Sequence, residues 1–124
     1  MDIRSTLLEL CAAFNAHDLD RIMTLFADDC VLEMPRGSDP WGSRFAGKDA
    51  VRAALATRFA GLPDVHYGNE EHFVDAAAKT GMTKWLLTGT TLAGERKEVH
   101  GCDFYAFGDD GKVVRKDSYW KIVE

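Results

Sequence analysis

The period of the apolar side chains changes near Val65, from helical to strand-like, and this switch restricts the fold more than any other feature of the chain. Before it, Ile3, Leu7, Leu10, Cys11 and Phe14 recur every three or four residues, which predicts an amphipathic helix from Ile3 to Ala16. Asp18 is a suitable N-cap for a short second helix with Leu19, Ile22, Met23 and Phe26 as its apolar stripe, ended by Asp28-Asp29. Cys30 to Met34 reads as a strand stopped by Pro35. Residues 36–47 hold four Gly or Pro and form a loop, with a short strand at Arg44-Phe45. A third helix starts near Lys48-Asp49, buries Val51, Ala54, Leu55 and Phe59, and stops at Gly61-Leu62-Pro63. Beyond the switch, strands are expected over 65–74, 81–92, 97–107 and 112–123, with turns at 76–80, 93–94 and 109–111. Helices followed by antiparallel strands are the mark of an α+β domain. Residues 1–124 are therefore read as one domain, a curved and mostly antiparallel sheet over three N-terminal helices, shaped like a cone whose mouth is a natural pocket.

One acid breaks the pattern of the sheet. In the strand Val99-His100-Gly101-Cys102-Asp103-Phe104-Tyr105-Ala106-Phe107, alternate residues share a face, so Asp103 lies among Val99, Gly101, Tyr105 and Phe107. A carboxylate on an apolar face must be paired, protonated or open to a ligand cavity, because an isolated buried charge is very costly. The hairpin about Asp109–Lys112 sets Asp103 opposite Ser118 and diagonal to Lys116, within reach of the longer side chain. A pocket acid and an ion-pair partner of Lys116 are thus competing readings of the same residue.

Charge and cysteine content narrow the function classes. The 15 basic and 20 acidic residues give a net charge of −5 without any basic run, which argues against nucleic acid or an anionic membrane as partner. No continuous apolar stretch suggests a membrane span or a secretory segment, and Met1-Asp2-Ile3-Arg4 carries an acid early. The three cysteines, Cys11, Cys30 and Cys102, are widely spaced, which fits reduced thiols in a cytoplasmic protein. No HxH, HExxH or Cys/His cluster occurs, so neither a metal nor another cofactor is expected. His66 and His72 would share a strand face but stand about 20 Å apart, too far for one ion.

Several segments together are similar to a known family: Phe14-Asn15-Ala16-His17-Asp18-Leu19-Asp20, Leu25-Phe26-Ala27-Asp28-Asp29-Cys30-Val31-Leu32, Phe45-Ala46-Gly47-Lys48-Asp49-Ala50-Val51, and Gly101 to Phe107 running on to Tyr119-Trp120. The chain resembles the SnoaL-like and ketosteroid-isomerase-like branch of the nuclear transport factor 2 superfamily. The resemblance implies a cone-shaped fold and a homodimer. It does not specify an activity, since this fold carries isomerases, cyclases, dehydratases and binding modules. In ketosteroid isomerase an Asp base works with a Tyr and a protonated Asp, the worked example of a neutral carboxylic acid. Asp103 corresponds to that donor Asp and Trp120 to a pocket aromatic, whereas the base position holds Met34 and the helix-one Tyr position falls near Leu10. Steroid isomerisation by that triad is therefore not expected. SnoaL-type cyclases offer a cofactor-free template in which an Asp in the sheet serves as acid/base, and Asp103 fits that role.

The expected site is Asp103 as the catalytic group, with Met34, Trp41, Tyr105, Lys116, Ser118 and Trp120 lining a cavity for a small hydrophobic carbonyl compound. Trp41 is placed as a lid at the mouth and Arg36 as a cation beside it, with Lys84 and Lys116 either lining the concavity or snorkelling at its rim. The alternative is a non-catalytic binding or dimerisation module. Trp85, Leu87, Cys102, Phe104 and Tyr119 are assigned to the opposite sheet face, where an apolar patch would be covered by a second copy of the chain.

Overall fold

The computed structural model describes residues 2–124. The Asp2 carboxylate accepts the Ser5 N–H at 3.1 Å and starts α1 (Ile3–Asn15), whose Ile3, Leu7, Leu10 and Phe14 all face the interior. Asp18 caps α2 (Leu19–Thr24) in the same way, through the Arg21 N–H. Gly47 precedes α3 (Lys48–Gly61) with φ +89°, a conformation that only glycine adopts without strain. The strands are β1 (Phe26–Glu33), β2 (Arg44–Ala46), β3 (His66–Asp75), β4 (Thr80–Thr90), β5 (Arg96–Phe107) and β6 (Val113–Trp120). They form one sheet in the order β2-β1-β6-β5-β4-β3, in which β1 runs parallel to β6 and the other neighbours are antiparallel. Three helices on a curved α+β sheet are the cone that the sequence implied.

The helices cover one face. Leu7, Leu10, Ile22, Val51 and Leu55 pack against Leu32, Tyr105, Phe107 and Val113, all buried. Each such aliphatic side chain contributes roughly 1.5–3 kcal/mol by leaving water. Leu62, Val65, Trp85 and Leu87 form a second cluster, with Phe59, Tyr67, Val99 and Trp120 packed against it. Asn15 and His17 tie α1 to β3: the Asn15 amide brackets the Tyr67 backbone at 2.8 and 3.0 Å, and His17 Nε2 lies 2.7 Å from the Val65 carbonyl.

Three local expectations need correction. Phe26 belongs to β1 and not to α2, because its buried ring sits in the core and Phe26 pairs with Val113. A bulge in β3, with Asn69 at φ +51°, shifts the register between Gly68 and Glu71. His66 and His72 therefore lie on opposite faces. Most consequentially, β4 pairs with β5 so that Thr83 lies opposite Asp103, Trp85 opposite Gly101 and Leu87 opposite Val99. Directly paired residues share a face. Trp85 and Leu87, 3% and 2% exposed, belong to the concave interior, and it is Lys84 that points outward toward Glu71. Phe104 and Tyr119 stay on the outer face, 41% and 58% exposed, with Phe73 nearby at 50%.

Candidate functional site: a buried Asp103–Lys116 pair behind an apolar groove

Asp103 lies mid-strand on β5, between Thr83 of β4 and Ser118 of β6. Its carboxylate accepts three hydrogen bonds: Trp85 Nε1–H on Oδ2 at 3.0 Å, and Ser118 Oγ–H at 2.6 Å and Lys116 Nζ–H at 3.0 Å on Oδ1. Lys116 also donates to Ser118 Oγ at 2.8 Å, so the hydroxyl relays between cation and anion. Both charged side chains are about nine-tenths buried. The Lys116 ammonium stands 5.3 Å from the Phe14 ring centroid and 6.0 Å from that of Tyr105, which adds cation–π stabilisation in a dry setting. The ion-pair reading of Asp103 is thus realised, with the diagonal geometry that the hairpin register dictates.

Glu33, also fully buried, is a separate matter. Alternation turns Leu32 inward and Glu33 outward, where Arg44 clamps it at 2.7 and 2.9 Å and Arg115 pairs with its other oxygen. Glu33 has no route to Asp103. Trp41 stacks on Arg44, its ring centroid 4.3 Å from the guanidinium carbon, and is absent from the lining of the Asp103 pocket. The arginine that neutralises Glu33 thus also holds the indole.

Two small cavities flank Asp103. One of about 10 Å³ touches Cys11, Phe14, Tyr67, Thr83 and Tyr105; the other, about 20 Å³, touches Lys116, Ser118, Met34, Arg58 and Trp120. Neither has room for more than a water molecule. Beyond them opens a groove of about 530 Å³, which shares Met34, Pro35, Arg58 and Trp120 with the larger inner cavity and is walled further by Phe45, Ala50 and Ala54. The structure thus brings Asp103, Tyr105, Lys116, Ser118, Met34 and Trp120 together and leaves Trp41 apart. Trp85, Tyr67, Thr83, Arg58 and His72 join the set without having been expected there. Tyr67 meets Trp85 edge-on at 5.1 Å, and His72 Nδ1 lies 2.9 Å from Thr83 Oγ1. Among the described residues, no cluster of His, Cys, Asp or Glu is arranged to hold a metal ion.

Burial dominates the titration of the surrounding acids. It pushes the Cys11 thiol from 9.0 up to about 12, with the Glu70 carboxylate as the next cause. Burial, followed by the Asp103 charge, raises the Tyr67 and Tyr105 phenols above their usual range. A raised value means that the folded state holds the proton more tightly than the unfolded chain does. The stability from these groups is complete below about pH 9 and is lost as the pH climbs toward 12. Denaturant midpoints should fall steadily through this window. A midpoint unchanged up to about pH 11 would mean that water reaches these side chains freely.

A sequence model of the SnoaL-like domain matches residues 7–116. The chain belongs to the SnoaL-like domain family. Solved structures agree on the nuclear transport factor 2-like fold. A candidate polyketide cyclase of Pseudomonas putida KT2440 superposes with a TM-score of 0.87 at 18% identity, over 98% of this chain and 93% of that one. A Mycobacterium tuberculosis protein in complex with estradiol-17beta-hemisuccinate gives 0.82 at 27% identity, over 97% and 94%. The epoxide hydrolase/cyclase-like enzyme SalBIII of salinomycin pyran-ring formation gives 0.82 at 17%, over 97% and 91%. Among the described residues of this SnoaL-like chain, no helix is long and apolar enough to cross a membrane.

Proposed function

We propose that this SnoaL-like protein, a single domain over residues 1–124, binds a small hydrophobic carbonyl compound in the groove before Trp120. Asp103 then serves as proton acceptor or hydrogen-bond donor in a cofactor-free isomerase, cyclase or lyase reaction. The observation that carries the reading is continuity: Met34, Arg58 and Trp120 line both the groove and the cavity that touches Asp103 and Lys116. A carboxylate beside an ammonium and a hydroxyl has the parts for moving a proton next to a carbonyl, with Lys116 able to offset the developing negative charge. The substrate's reacting atom reaches Asp103 only after the Trp120 and Arg58 side chains move aside. The M. tuberculosis complex supports small-molecule binding in this fold.

One observation favours a second reading. The Asp103 carboxylate already accepts three hydrogen bonds and has little free space around it, as suits a structural ion pair in a binder that performs no chemistry. A screen of carbonyl compounds by thermal shift separates the readings. A groove ligand raises Tm by mass action, and for any ligand that is turned over, Asp103→Asn should lower kcat by about 10²–10⁴-fold. Full turnover by a folded Asp103→Asn variant would refute the catalytic role and leave the binding role intact.

The outer face supports a homodimer, with the apolar area around Phe104, Tyr119 and Phe73 covered by its counterpart. Phe104→Lys should then sediment as a monomer at concentrations where the unaltered chain is dimeric. A wild-type monomer at tens of micromolar, a common assay range, removes this part of the proposal. A cytoplasmic setting fits the three free thiols.

A further inference from the structure

We infer that the ligand of the groove carries a carboxylate, held by Arg36 and Arg58 beside Trp120. The inference rests on the groove-binding reading and narrows it to amphipathic organic acids: a flat apolar body with one anionic end.

The argument begins with charge. The chain is acidic, at −5, yet the groove lining holds two guanidinium groups and no carboxylate. Both converge on one indole, with Arg58 4.6 Å and Arg36 5.9 Å from the Trp120 ring centroid. Stacking engages the flat face of a guanidinium and leaves its in-plane N–H donors unspent. Four other arginines show the contrast, while Arg4 and Arg21, which also lack an ion pair among the described residues, do not line the groove. Arg44 and Arg115 are committed to Glu33, Arg52 to Asp20, and Arg96 stands near Asp64. Among the described residues, neither Arg36 nor Arg58 forms an ion pair, and neither side chain donates a hydrogen bond. Two pre-stacked and unspent guanidiniums at the edge of an apolar groove complement a carboxylate, which accepts paired N–H donors in a plane.

The body of the ligand follows from the walls. Met34, Pro35, Phe45, Ala50, Ala53 and Ala54 offer no charge, and the volume of about 530 Å³ suits a molecule of two to four fused rings or a comparable acyl chain. A neighbouring groove of about 710 Å³ shares Arg36, Arg58 and Trp120 and has apolar walls at Leu62, Val99 and Ile122, but it also carries Glu95 and Glu98, whose carboxylates repel an anion. The smaller groove holds no carboxylate and so suits the acid better. An anion at the rim also anchors the ligand beside the indole that separates the groove from Asp103.

Calorimetric titration with two matched pairs of probes tests the inference: 2-naphthoate against 2-naphthamide, and 1-pyrenebutyrate against its amide. Each amide keeps the body and removes the charge. We expect at least one acid to bind about tenfold or more tightly than its amide, the gain typical of charge-assisted hydrogen bonds. Arg36→Gln with Arg58→Gln should erase the difference and leave the amide affinity within about twofold. If the double variant does not fold, Arg36→Gln alone, on an exposed loop residue, should still reduce the preference. Equal binding of acid and amide to the wild-type protein overturns the carboxylate assignment while groove binding survives. An acid preference that persists without the arginines overturns it too, by placing the anion elsewhere. Binding of neither probe pair removes both the assignment and the groove reading beneath it.

Discussion

Lys116→Met is expected to cost about 3–5 kcal/mol of folding stability, the range for removing one partner of a buried ion pair. Methionine nearly matches the lysine stem, so the packing against Phe14 and Tyr105 is largely kept and the loss reports on charge. What remains is a carboxylate nine-tenths buried, with Trp85 and Ser118 as its remaining donors among the described residues. Adding Asp103→Asn to Lys116→Met removes that uncompensated charge, and the amide oxygen can face the Trp85 N–H while the amide NH2 donates to the Ser118 hydroxyl. The double variant should therefore be more stable than Lys116→Met alone. Urea titrations of the wild type, both single variants and the double variant complete the cycle. A loss below about 1 kcal/mol for Lys116→Met would show that the pair is solvated like a surface bridge, and the premise of a dry Asp103 site would be abandoned.

The same pair marks the border between what the sequence disclosed and what it did not. Strand alternation together with the Asp109–Lys112 turn located Asp103, Ser118 and Lys116 on one face, because a tight turn leaves little freedom in register. The boundaries of α3 were legible from Lys48-Asp49 and Gly61-Leu62-Pro63, which act locally. The face of Trp85 was not found, since it depends on how β4 meets β5 across the loop of residues 91–95. A strand displaced by one residue exchanges its inner and outer sides, and the expectation for Trp85 and Leu87 failed in that way. A usable signal was present, however. Lys84 precedes Trp85, and of two neighbours on opposite faces the lysine is the one suited to water. The bulge at Asn69 hid His72 by a similar displacement. The position of Trp41 was not legible for a different reason, as it depends on Arg44, which a buried Glu33 engages from the paired position on the neighbouring strand β2. Filling of the space around Asp103 is a property of many side chains at once and has no local sequence signature. Family membership was legible because it is carried by the order of many weak motifs, whereas the ligand is decided by a few rim residues such as Arg36 and Arg58.

Gly101→Val should destabilise the fold by about 2–3 kcal/mol and draw the indole of Trp85 away from Asp103. Gly101 faces inward between Trp85 of β4 and Trp120 of β6. A Cβ built at this position would lie 2.5 Å from the Tyr119 carbonyl oxygen, 2.6 Å from Trp85 Cη2 and 2.9 Å from Trp120 Cβ. The first of these contacts is backbone and cannot rotate away. Strand β6 must shift, or Trp85 must give way. The missing side chain is thus the space into which the indole lies flat, bringing Nε1 to 3.0 Å from Asp103 Oδ2. Displacing it removes one of the three donors to a buried carboxylate and opens the wall shared by Tyr67 and Trp120. Near-ultraviolet circular dichroism should lose part of its tryptophan signal while the far-ultraviolet spectrum persists. Any groove ligand that requires an ordered Trp120 should bind more weakly. A Gly101→Val protein with wild-type stability and an unchanged tryptophan spectrum would mean that β5 and β6 stand farther apart than described, and the close approach assigned to this glycine would be wrong.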